Sequence, residues 1–243
     1  MSPSTTASSA KAASYTIQGR TVTMPCLVRD AGSASVVYLV DAAVAQRFVG
    51  DAFDVVEMMP GQAQLILGFV DYRDNDLGDY DEVMIVFMVR PKGAAQGDGV
   101  YIYKLPVNQS FTCEAGCTIW GFPKTVEDIT IDYTPKSATC RLVMSGKHVF
   151  TLTLPRDPGA SGETPDMEMN SYTYHDGGSV LPFSSGGNGT HLVAGGEGVV
   201  LTLGDHPIAD ELRQLGLPAA PVLIATWVEH FHGSFGVPEK IKA

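Results

Sequence analysis

Thr139-Cys-Arg-Leu-Val-Met-Ser-Gly-Lys-His-Val-Phe-Thr-Leu-Thr-Leu154 is the stretch whose reading decides the fold. Two β-type runs, Thr139–Met144 and His148–Leu154, flank Met144-Ser-Gly-Lys147, where Gly146 tolerates the positive φ of a tight hairpin turn. The same texture recurs outward in both directions. Arg20–Leu27, Ser35–Val40, Phe53–Met58, Gln64–Tyr72, Glu82–Val89 and Val100–Leu105 are rich in Val, Ile, Tyr and Met and are bounded by Gly, Pro or Asp. Asp128–Tyr133, Ser171–His175, His191–Ala194 and Val199–Leu203 continue the series. So many short strands at turn spacing predict a mostly β (α+β) chain built on a closed or sandwiched antiparallel sheet.

Two helices interrupt the strands. Asp41 is placed to cap one over Ala42–Val49, stopped by Gly50. Pro207 opens the other, with Asp210 and Glu211 early and Arg213 late, as the helix dipole favours. Ile208, Leu212 and Leu215 share one face of it, and Gly216 ends it. Val222–Phe235 begins as a strand, and its finish is open between strand and helix. Ser184-Ser-Gly-Gly-Asn-Gly189 and Gly195-Gly-Glu-Gly198 read as loops, and neither carries the Lys-Ser/Thr ending of a phosphate loop. Met1–Tyr15, Ser/Thr/Ala-rich and without the apolar core of a secretory signal, is expected to be a disordered tail. Residues 16–243 show neither repeat nor linker and are expected to form one domain.

The formal charge of −11 excludes a basic nucleic-acid footprint and a polybasic membrane anchor as default readings. No apolar run approaches the roughly 18–20 residues of a membrane helix. Neither nucleic acid nor membrane is therefore an expected partner. Cys26, Cys113, Cys117 and Cys140 form no disulfide scaffold, and Cys113-x3-Cys117 lacks a second pair or His partner at zinc spacing, so a cytoplasmic chain is expected. His230-x-His232 would share a strand face, but no third ligand is near in sequence, and no metal is assigned. Asp71–Glu82 lacks the calcium-loop register and reads as a mostly solvated turn.

Chemistry concentrates in Gly116-Cys-Thr-Ile-Trp-Gly-Phe-Pro-Lys-Thr125. An ordinary lysine has a pKa near 10.4, so only about one in 2,500 is neutral at pH 7. Trp120, Phe122 and Pro123 would desolvate the Lys124 amine, and a neutral buried amine is what imine formation with a ketone requires. A lone lysine, however, more often snorkels at a surface.

The segment resembles the Gly-Arg-Glu-x-Trp-Gly-(Phe/Tyr)-Pro-Lys-Lys signature of the acetoacetate decarboxylase family. Leu77-Gly-Asp-Tyr-Asp-Glu82, followed by an apolar strand, is similar to the family's Gly-x-Tyr-x-Glu segment, and His206–Pro218 is similar to the C-terminal helix of bacterial members. The resemblance covers residues 20 to 240. It implies a cone-shaped antiparallel β-barrel with flanking strands and a few short helices. It implies a homo-oligomeric, cofactor-independent carbon–carbon lyase that acts on a small keto acid. Lys124 then forms the Schiff base and Glu82 is the second catalytic residue. Arg29 matches the family arginine before the first core strand and would bind substrate, with Trp120 and Phe122 shaping the pocket.

Three departures bear on the reaction. Thr125 stands where the signature has its second lysine, Cys117 and Thr118 replace Arg-Glu, and the family's second glutamate falls near Leu67. Decarboxylation of acetoacetate-like β-keto acids is the leading expectation. Aldol condensation and dehydration of pyruvate with an aldehyde is the alternative, and a non-catalytic binding barrel is a third.

Overall fold

A computed structural model describes residues 13–173 and 179–240. The strands of the first half are β1 (Ser14–Ile17), β2 (Arg20–Thr23), β3 (Cys26–Asp41), β4 (Phe53–Val55), β5 (Glu57–Met59), β6 (Gln62–Asn75), β7 (Tyr80–Pro91) and β8 (Gly99–Lys104). The second half adds β9 (Asp128–Tyr133), β10 (Ser137–Met144), β11 (Lys147–Pro155), β12 (Gly162–Thr173), β13 (Ser179–Ala194), β14 (Val200–Leu203), β15 (Val222–Phe235) and β16 (Glu239–Lys240). Three helices, α1 (Ala42–Ala45), α2 (Ser110–Ala115) and α3 (Pro207–Gln214), punctuate them.

Seven strands close a ring in the order β6-β7-β8-β12-β13-β15-β3, with β3 returning to β6. A second sheet, β14-β11-β10-β9, packs outside it, and β1 and β2 form a hairpin of their own. The mostly β barrel expected from the sequence is present. Its pairing differs from the expectation at one seam, because β8 and β12 run parallel over Asn170–Tyr172. Parallel neighbours need a long crossover, and here the chain from Leu105 to Ser161 supplies it by building α2 and most of the outer sheet in between.

The opening hairpin forms as read. β10 and β11 pair antiparallel, and the turn places Ser145 at φ +50 and Gly146 at φ +74, the double-positive geometry of a two-residue hairpin. Alternation along the barrel strands divides the core in two. On β3, Ala34, Val36, Tyr38 and Val40 face outward, where they pack with Leu142, Leu152 and Leu212 of the outer sheet and α3. A second cluster inside the ring gathers Val70, Tyr72, Tyr80, Val86 and Ile102 with Phe111, Trp120 and Phe122.

Several expectations are corrected. Ser184–Gly189 is not a loop but the middle of β13. A Cβ at Gly187 would meet Val228 Cγ1 and stand 2.8 Å from the His230 carbonyl oxygen, so these glycines let β13 lie close against β15. Val222–Phe235 is strand to its end. The acidic stretch is a hairpin whose turn is confined to Asp76–Asp79, with Asp71 opposite Asp81. The first helix is α-helical only to Ala45 and continues as a 3₁₀ turn over Gln46–Phe48. β12 begins nine residues before Ser171, and His175 lies outside the described residues. Of the expected tail, residues 1–12 lie outside the described residues, whereas Ser14 and Tyr15 pair with Thr23 and Val22. No helix among the described residues is long and apolar enough to cross a membrane.

Candidate active site

The segment from Ser110 to Lys124, with its Thr, Cys, Ile and Trp, carries no helical pattern in sequence, yet it forms α2 and a following π-helical turn, Gly116–Trp120. The Gln109 side chain caps the start by accepting from the Thr112 amide at 2.9 Å. Gly121 ends the turn in the left-handed region at φ +68, a conformation glycine adopts without penalty. The chain then doubles back, and the Phe122 amide donates to the Gly116 carbonyl at 3.1 Å. That return lays the Lys124 stem across Gly116. A Cβ at Gly116 would stand 2.5 Å from Lys124 Cδ and 2.7 Å from Cε. The glycine is thus a steric requirement for seating the lysine.

Lys124 is 7% exposed. Its Nζ stands 2.7 Å from Glu82 Oε2, donates to Thr112 Oγ1 at 3.2 Å, and lies 5.1 Å from the centroid of the Tyr80 ring. Glu82 is 6% exposed, and its Oε1 accepts from the Tyr72 hydroxyl at 3.2 Å. Register explains the cluster: Tyr80 and Glu82 share one face of β7, and Tyr72 on β6 lies opposite Tyr80. The two rings stack at 4.5 Å. Burial, and next the Glu82 charge, hold both phenols well above the ordinary tyrosine range, so both keep their protons. Burial pushes the neighbouring Cys26 thiol up to about 12.

The pair opens into a cavity of about 290 Å³ inside the ring. Trp120 and Phe122 line it, with rings stacked at 5.7 Å, and Trp120 Nε1 is anchored by donation to the Gly236 carbonyl at 2.9 Å. The structure therefore brings together four of the five residues expected at the site: Lys124, Glu82, Trp120 and Phe122. Arg29 is not among them. It occupies an outward position of β3, its side chain 46% exposed, and pairs with Asp74 at 2.8 Å and Asp76 at 2.7 Å. Those partners project from the adjoining end of β6 and its turn, so local charge holds Arg29 away from the cavity.

Thr125 is exposed and does not line the cavity. Leu67, read at the second glutamate position, is fully buried in the outer core, and its inward neighbour Ile66 lines the cavity. Tyr72 and Thr112 also meet the pair, and neither stands in a sequence motif that marks it. Tyr72 was visible only as a hydrophobic strand residue, and Thr112 reaches Lys124 through a helix that was not expected. Among the described residues no group of His, Cys, Asp and Glu is arranged to hold a metal. His230 and His232 pair separately, with Asp30 at 2.9 Å and Asp166 at 2.7 Å.

Comparison with known proteins agrees with this architecture. The family model described as acetoacetate decarboxylase (ADC) matches residues 12–232. No curated protein matches the chain at a significant level. Among solved structures, an acetoacetate decarboxylase superposes with a TM-score of 0.63 at 16% identity, covering 89% of each chain. The acetoacetate decarboxylase from Legionella pneumophila gives 0.63 at 14% identity, over 90% of this chain and 87% of its own. The enduracididine biosynthesis enzyme MppR, complexed with the condensation product of pyruvate and imidazole 4-carboxaldehyde, gives 0.59 at 16% identity over 90% of each chain.

Proposed function

Because the chain belongs to the acetoacetate decarboxylase family, we propose that it is a Schiff-base-forming lyase that decarboxylates a β-keto acid through Lys124. The observation that carries this reading is the buried Lys124–Glu82 pair, 2.7 Å apart at the wall of a mostly apolar cavity. Glu82 is placed to take a proton from Nζ, freeing the lone pair that attacks the substrate ketone. Loss of water then leaves a protonated imine. The carbon–carbon bond to the carboxylate breaks, its electrons pass into the iminium, and carbon dioxide departs. The resulting enamine takes a proton at carbon, and water releases the ketone and regenerates the amine.

The cavity wall supports this chemistry in two ways. A carboxylate held among apolar side chains is poorly solvated, whereas the neutral carbon dioxide and ketone are at home there. Tyr72 bonds Glu82 and Thr112 bonds Lys124, which holds the two side chains in reach of each other and keeps the nucleophile oriented.

A second reading is supported by the same electron sink. Enamine attack on an aldehyde would give aldol condensation and dehydration, and MppR is seen with a product of that type. Borohydride trapping with acetoacetate and, separately, pyruvate, followed by peptide mass mapping, tests the common step. A stable adduct on Lys124, absent in Lys124→Ala, is expected. Glu82→Gln should slow trapping by about 10²–10⁴-fold, the usual contribution of a positioned acid–base group. Absence of an adduct with either ketone from pH 5 to 9 overturns the imine reading and favours a binding barrel. Carbon dioxide from acetoacetate selects decarboxylation; a conjugated, ultraviolet-absorbing product from pyruvate and an aldehyde selects the aldol route.

A further inference from the structure

Among the described residues that line the cavity, Glu82 is the only carboxylate and Lys124 the only cation, and each faces the other. The one arginine expected to meet a substrate carboxylate, Arg29, is held outside by Asp74 and Asp76. The remaining polar groups are neutral hydroxyls, four of them serines: Ser33, Ser35, Ser171 and Ser185. Ile66, Val86, Val100, Phe183, Phe231 and Phe235 supply apolar surface from five different strands of the ring.

Volume is the second observation. An engineered apolar protein cavity of about 150 Å³ stays dry and takes up benzene. On that scale a cavity of about 290 Å³ seats about twelve non-hydrogen atoms. Acetoacetate or pyruvate would fill roughly half of it and leave apolar wall uncovered.

We propose that the substrate is a 3-oxo acid carrying an unbranched apolar tail of about five carbons, of the length of 3-oxooctanoate, and that the product is the corresponding methyl ketone. This rests on the imine reading above. The tail covers the aromatic and aliphatic wall. The head places its carbonyl at Lys124, and the iminium formed there is the counter-charge for the carboxylate. Per turnover one carboxylate carbon–carbon bond breaks and carbon dioxide leaves. One proton is taken up at carbon, and the water lost on imine formation is returned at hydrolysis, so no oxidant or reductant is consumed.

The test uses the full chain with acetoacetate, 3-oxohexanoate and 3-oxooctanoate, reading carbon dioxide release, alongside borohydride trapping with acetone and 2-heptanone. We expect kcat/KM for 3-oxooctanoate to exceed that for acetoacetate by at least about tenfold, since each methylene in a fitted pocket is worth about 10-fold or more. Ser35→Leu, which narrows the cavity, should shrink that ratio, and Ser185→Leu serves the same purpose from another strand. If Lys124 traps a ketone but acetoacetate is turned over as well as or better than 3-oxooctanoate, the tail assignment falls and the imine reading stands. If 2-heptanone is trapped but no 3-oxo acid loses carbon dioxide, the assignment also falls. If neither ketone is trapped, both readings fall together.

Discussion

At the scale of single residues, the site depends on a contact made by an absent side chain. Gly116 carries no Cβ, and the Lys124 stem occupies the space one would need. Gly116→Ala should therefore displace the amine from Glu82 while leaving the helix intact, because alanine is the better helix former. The expected result is a borohydride trapping rate lowered by at least about tenfold, with an unchanged far-ultraviolet circular dichroism spectrum. A second residue-scale prediction concerns Asp81, the sequence neighbour of Glu82. Burial, and then the charges of Asp71 and Asp79, raise its pKa to about 6 against the pull of Asn108. The folded state then binds more protons than the unfolded state between pH about 4 and 6, so ionisation of Asp81 costs stability as pH rises through that window. Asp81→Asn should match the parent at pH 4. At pH 7 it should gain on the order of 1–2 kcal/mol after allowance for solvent screening, read by urea unfolding. Lys124 and Glu82 were legible because each sits in a short, distinctive string of residues. The true setting of Arg29 was not, since its acidic partners lie 45 and 47 positions away and meet it only through the β3–β6 register.

At the scale of elements, β13 shows how composition misleads. Its run of serines and glycines has the texture of a loop, yet it pairs with β12 over Ser179–Thr190 and with β15 over Phe183–Ala194. The selecting force is space, since Val228 and the His230 carbonyl occupy the position of any side chain at 187. Gly187→Val should cost about 1–3 kcal/mol, the range for overpacking, measured as a lower urea midpoint at constant slope. The α2 segment misled in the opposite sense. Its β-type residues are buried around Lys124 rather than laid along a sheet, and the helix is held by the Gln109 cap and by packing of Phe111 and Ile119. Most strand positions were readable, since their apolar runs and glycine or proline bounds are local properties. Which strands are neighbours was not, because pairing is decided between residues far apart in sequence.

At the scale of the whole molecule, two cores share one wall. The outer face of β3, β6 and β7 packs against the second sheet, and the inner face encloses the cavity. The wall is continuous but not uniformly fastened. Thirteen residue pairs join β3 to β6, whereas three join β8 to β12, the one parallel seam of the ring. Deuterium should enter the backbone amides of residues 99–101 and 170–172 sooner than those in the middle of β3, as peptide-resolved exchange would register. Ser171 and Val100 face each other across that seam, and both line the cavity. Each momentary unzipping there would open a side path between the cavity and solvent. On the imine mechanism proposed above, the water that hydrolyses the product imine has a side entrance at this seam.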